Sequence, residues 1–133
     1  MPGASVRRLR AWAVALPSVT ETTRPRSGAP VWRVDGRAFL EVGPQKGRAT
    51  FSVPERSAST LAAVHPEYAR VVRRPGARRG YSGLEVQLRS VSGARLYRLV
   101  LEAWAAKASA KRVRAIFDAG GRLPKPPRTR SAS

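Results

Sequence analysis

Near the start of the chain Val6, Leu9, Ala13 and Leu16 recur at helical spacing, the signature of an element with one buried stripe. Ser5 stands where a cap belongs and Pro17 where a helix stops. The stretch 17–30, with Thr20, Thr22, Thr23, Pro25, Ser27 and Gly28, carries turn formers and no period, and reads as a loop. From Val31 the period changes to that of strands. Runs 31–34 and 37–42 flank Asp35-Gly36, a favoured two-residue hairpin turn because both central positions need positive φ. A second turn over 43–47 leads into 48–53, where Ala49, Phe51 and Val53 alternate with polar residues. The region therefore predicts a three-stranded antiparallel meander with one buried face.

Pro54 and Glu55 open a shorter helix to about Val64, stopped by Pro66, with a stripe made mostly of alanine. A short strand is expected over 68–72. A clearer one follows over 83–89, with Leu84, Val86 and Leu88 on one face. Ser92 can cap a long helix whose inward stripe is Leu96, Leu99, Val100, Ala103 and Trp104. Ser109 can cap a short one carrying Val113, Ile116 and Phe117 and closed by Gly120-Gly121. No solenoid-like repeat is visible. This order implies a single α+β domain over 1–119, an antiparallel sheet with helices packed on one face and the other face free. Residues 120–133 are Pro, Ser and basic residues with little to bury, and read as a disordered basic tail.

Composition narrows the chemistry. With 133 residues and 42% hydrophobic positions the chain fits one modest core. The absence of cysteine removes disulfides, thiolate metal sites and a thiol nucleophile together. No run approaches the ~20 apolar residues of a membrane span. The start Val6-Arg7-Arg8-Leu9-Arg10 lacks the apolar block of a secretory signal, so a soluble cytoplasmic protein is expected. Charge is the main clue: 26 Lys and Arg face 8 Asp and Glu, a formal net charge of +18. Like charge at that density destabilises a compact domain, so a polyanion such as nucleic acid is the expected partner.

Several clusters are candidates for holding phosphates. Arg73, Arg74, Arg78 and Arg79 crowd a Gly- and Pro-containing loop, where four cations gain nothing from one another. Arg33 and Arg37 flank the Asp35-Gly36 turn, and Lys46 and Arg48 flank the next, where a hairpin tip can straddle phosphates or charge can protect a strand edge. Arg7 and Arg8 after Ser5, and Lys111 and Arg112 after Ser109, oppose a helix dipole, a conflict that a bound anion would resolve. A solvated basic face is the alternative for either pair. Tail cations Arg122, Lys125, Arg128 and Arg130 fit either a nonspecific DNA arm or a solubilising tail. Trp32, Trp104 and Phe39 sit at core-like spacing, whereas Tyr81 beside Arg78 and Arg79 can place a ring on the basic surface.

The segments Ala15-Leu16-Pro17-Ser18-Val19 and Pro30-Val31-Trp32-Arg33-Val34-Asp35-Gly36-Arg37-Ala38-Phe39 resemble the MmcQ/YjbR family. So do Gly80-Tyr81-Ser82, Ala103-Trp104 and Ala108-Ser109-Ala110-Lys111-Arg112-Val113, and the likeness covers roughly 5–117. Tyr81 replaces the family's usual Trp, and Arg24-Pro25-Arg26 adds charge to a loop that commonly holds a polar or aromatic turn. The resemblance implies a CyaY-like, double-wing-like α+β fold and DNA binding, with Lys111-Arg112 inside the matching motif.

Enzymatic roles are disfavoured. His65 is the only histidine and has no second ligand at metal spacing. The carboxylates Glu21, Asp35, Glu41, Glu55, Glu67, Glu85, Glu102 and Asp118 are scattered singly, with no catalytic or phosphate-loop pattern around them. No cofactor or metal is expected. The leading expectation is a small protein that binds double-stranded DNA, in preference to RNA, through phosphates and with low sequence specificity. The alternative is a protein-interaction or small-ligand domain using the free sheet face, which an apolar patch around Val31 and Leu40 would favour.

Overall fold

The computed structural model describes residues 2–43, 47–73 and 80–118, with side chains described from Val6 to Ala115 within those spans. Helix α1 covers Pro2–Ala15. Pro2 takes a first-turn position, where its missing N–H costs nothing. Ser5 consequently lies inside the helix and is not its cap. Strand β1, Val19–Thr23, occupies part of the stretch expected to be a loop. The reason it escapes the pattern is that almost all of its side chains are exposed, so no alternation of apolar and polar residues marks it. Pairing with its neighbour is what makes it a strand, from Val19 opposite Val34 to Thr23 opposite Pro30.

Strands β2, Pro30–Val34, and β3, Arg37–Val42, form the expected hairpin. Asp35 and Gly36 both have positive φ, 50° and 80°, as a type I′ turn requires. β4, Arg48–Phe51, is followed by α2, Glu55–Val64, with Pro54 just before its first turn. β5, Ala69–Arg73, and β6, Tyr81–Gln87, lead through a 3-10 turn at Leu88–Ser90 to α3, Gly93–Lys107. The Ser92 hydroxyl accepts from the Arg95 N–H at 3.2 Å, and the Ser109 hydroxyl accepts from the Arg112 N–H at 3.2 Å at the start of α4, Ala110–Asp118. Both are the caps that the sequence predicts.

The strands make one six-stranded antiparallel sheet in the order β1-β2-β3-β4-β6-β5. The predicted meander is thus its middle. Register aligns Trp32, Leu40, Phe51 and Leu84 side by side across β2, β3, β4 and β6, and all four are fully buried. A bulge in β3 opposite Trp32 and Arg33 lets the adjacent Phe39 and Leu40 both bury. Onto this face α3 lays Leu96, Leu99, Val100, Ala103 and Trp104, the stripe read from its spacing, while α1 adds Leu9, Trp12, Ala13 and Leu16. Each large side chain so buried contributes about 1.5–3 kcal/mol before entropy is counted. The architecture is therefore α+β, with α1, α2 and α3 contributing to one core on one face of the sheet.

Polar links lock the layers. Trp32 Nε1 donates to Glu21 Oε1 at 2.9 Å, and Arg10 Nε of α1 donates to the same oxygen at 3.0 Å. Those contacts hold the Glu21 carboxyl below its usual range, the Arg10 hydrogen bond being the larger cause. Trp104 Nε1 donates to the Pro17 carbonyl at 3.1 Å and ties α3 to the turn between α1 and β1.

Gly83 marks a close approach between β4 and β6. A Cβ there would stand 2.7 Å from Thr50 Cγ2 and 3.1 Å from the Phe51 carbonyl oxygen. Gly83→Ala is expected to lower unfolding stability by about 1–3 kcal/mol through overpacking. Urea denaturation would read this as a lower midpoint at constant slope, and an unchanged midpoint would contradict the close approach of β4 and β6.

Candidate nucleic-acid interface

Antiparallel pairing directs several separate connections to one end of the sheet. The β2–β3 turn lies there, because Val34 pairs with Arg37. The β5–β6 connection leaves from the same end, because Arg73 pairs with Tyr81 beyond the Val71–Leu84 pair. α3 ends here and α4 begins here, since the Ser109 N–H donates to Asp35 Oδ2 at 3.0 Å. In the strand order, the β2–β3 and β6–β5 hairpins are three strand spacings apart, about 14 Å at ~4.8 Å per strand. Beside the start of β6, at the ends of β4 and α3, lies a concavity of about 350 Å³ whose lining includes Pro54, Glu55, Tyr81 and Lys107.

The anion expected at the start of α4 is supplied by the chain itself. Asp35, at the tip of the β2–β3 turn, accepts from the Ser109 backbone and from Arg112 Nε at 3.0 Å. The hydrogen bond from Ser109, followed by Arg112, holds the Asp35 carboxyl below the usual aspartate range. At the expected Lys111-Arg112 phosphate site, Arg112 is engaged by Asp35 at the hairpin tip and Lys111 stands exposed beside it. The parallel reading for Arg7 and Arg8 also changes. α1 begins at Pro2, so neither residue sits at a helix start, and Arg8 reaches toward Gly93 of α3.

The other sequence candidates divide by what they touch. Arg37 is exposed beside the turn, whereas Arg33 Nε donates to Thr22 Oγ1 at 3.4 Å on the sheet face opposite the helices. Arg73 Nη2 is 2.9 Å from Glu55 Oε2. Tyr81 is half-buried, its hydroxyl donates to the Val53 carbonyl, and burial pushes its pKa up to about 12. That ring packs against the core and is no free stacking platform. Arg74, Arg78 and Arg79, with Lys46 and the tail cations, lie outside the described residues. Sequence reasoning missed Arg114, which is exposed one helical turn beyond Lys111 on α4. The i, i+3 spacing was the available signal.

The sheet face away from the helices is polar. Arg24 pairs with Glu41, while Arg48 and Arg70 both reach Glu85, at 3.4 Å and 2.7 Å. Val31 and Leu40 do not share a face, because Leu40 pairs with Trp32 in the core row and Val31 pairs with Glu41. The apolar patch that would favour a partner on this face is therefore not formed around those residues. Among the described residues there is no cluster of His, Asp and Glu able to hold a metal, and no helix is long and apolar enough to cross a membrane. No protein-family model, curated protein or solved structure matches the chain.

The Asp35 clamp carries a pH signature. A depressed folded-state pKa contributes stability that is present above the unfolded-state value and is lost as pH falls through the lowered folded value. Asp35→Asn keeps the turn, since Asn-Gly suits type I′ as well as Asp-Gly does. The variant is expected to melt below the parent at neutral pH, with the difference shrinking as pH drops past the normal aspartate range. Thermal melts across pH 2–7 (about the carboxylate range) check this, and a pH-independent difference would contradict it.

Proposed function

We propose that this chain is a small nucleic-acid-binding protein that holds double-stranded DNA through its phosphates, with low sequence specificity and without catalysis. The observation that carries the reading is the meeting, at one end of the sheet, of the β2–β3 tip, the α4 start and the anchors of the Arg-rich β5–β6 connection. Exposed Arg37, Lys111 and Arg114 have no carboxylate partner among the described residues. The strand pairs that end in Val34–Arg37 and Arg73–Tyr81 are about 14 Å apart across the sheet, a spacing comparable with a major groove about 12 Å wide. The excess of 26 basic over 8 acidic residues supplies the attraction. The MmcQ/YjbR resemblance points the same way, because DNA binding is what it implies. Contacts made by exposed cations to phosphates position a protein without reading bases, hence the low specificity.

Binding is tested by fluorescence anisotropy of a labelled duplex over a salt series. Neutralising about six phosphates gives a slope of log affinity on log salt of roughly −5. Arg37→Ala/Lys111→Ala/Arg114→Ala is expected to weaken binding at every salt concentration and to flatten the slope by about 2–3, one unit per lost phosphate contact. A salt-independent affinity, or a triple variant that binds as the parent does, would sink the proposal.

A further inference from the structure

A second charged surface, built from other residues than the hairpin end, lies in the furrow between α2 and α3. α2 starts at the end of the sheet where α3 finishes, so the two helices run antiparallel. They leave an open groove of about 520 Å³. Leu61, Leu99 and Val64 supply its apolar surface, and Val64 is 63% exposed. Arg56, Arg95 and Arg98 line the same groove, and none has a carboxylate partner among the described residues. Glu102, the one acid in the lining, is held by the Ser57 hydroxyl. The groove thus carries net positive charge around an apolar strip.

We propose that this groove docks a short acidic amphipathic helix of a partner protein. The occupant follows from the combination of surfaces. Hydrated phosphodiester gains nothing from Leu61, Leu99 and an exposed Val64, whereas a helix with apolar residues at i, i+3, i+4 and i+7 covers such a strip. α2 has ten residues, about 15 Å at 1.5 Å per residue, room for roughly three turns of a third helix. Carboxylates flanking the apolar stripe would meet Arg56 at one end and Arg95 and Arg98 at the other. The chain's own end, with Arg122, Lys125, Arg128 and Arg130, has the wrong sign, and so does a second copy at +18. This inference does not rest on DNA binding, since it uses a different surface.

The probe is a fluorescein-labelled peptide of about 14 residues, long enough for roughly four turns, with leucines at helical spacing among glutamates. A peptide of the same composition with its leucines scrambled controls for attraction to a basic protein. At about 0.15 M salt, where exposed charges are partly screened, the amphipathic peptide is expected to bind at least tenfold tighter than the control. Arg95→Glu/Arg98→Glu should lose about tenfold or more, and Val64→Ser, which leaves the charge unchanged, several-fold. Arg37→Ala/Lys111→Ala/Arg114→Ala should bind the peptide as the parent does. Circular dichroism confirms that the variants fold. Equal affinity for both peptides, or loss confined to the hairpin-end variant, would overturn the assignment.

Discussion

A chain with 26 cations and 8 carboxylates has to fold against its own charge, and most of the acids whose side chains are described are placed as cross-links between elements. Glu21 of β1 holds Arg10 of α1 and Trp32 of β2, and Glu85 of β6 holds Arg48 of β4 and Arg70 of β5. Glu55 joins α2 to Arg73 of β5, Glu102 joins α3 to Ser57 of α2, and Asp35 joins the β2–β3 turn to α4. Glu67, paired with His65 two positions away, is the local exception. A single exposed ion pair contributes only about 0–1 kcal/mol. Their common effect here is to commit the carboxylates, since each one whose side chain is described already has a hydrogen-bond or ionic partner within the fold. Among the described residues, the exposed side chains left without an ionic partner include Arg37, Lys111 and Arg114.

That arrangement separates structural from available cations more cleanly than residue type does. Arg112 and Arg73 belong to the first kind and Arg37, Lys111 and Arg114 to the second. A helix start that reads as an empty anion site is closed by a carboxylate contributed from a turn 74 residues earlier in the chain. The same contact fixes α4 against the hairpin tip, so the exposed cations of both elements share one end of the molecule. Topology then gathers exposed cations in two unlike settings. The hairpin end carries the exposed Arg37, Lys111 and Arg114 on which the proposed phosphate contacts rest, and the α2–α3 groove carries the apolar strip on which the proposed helix docking rests.

Local pattern alone determined much of the fold. The stripe of α3, the caps Ser92 and Ser109, the Asp35-Gly36 turn and the strands from Pro30 to Phe51 follow from periodicity and turn chemistry, which act over a few residues. The net charge likewise needed only composition. β1 was not legible, because an exposed edge strand is defined by pairing with a neighbour and not by burial of its own side chains. Nor were the roles of Arg112, Arg73 and Tyr81, or the facing of Val31 and Leu40, since each depends on a partner distant in sequence or on a bulge in β3. The sequence determined most of the helices and strands, all but the edge strand β1, and that the chain would be strongly basic. Only the tertiary structure decided which cations remain unpaired and where they gather, because that depends on which distant carboxylates the sheet register and helix packing bring within reach.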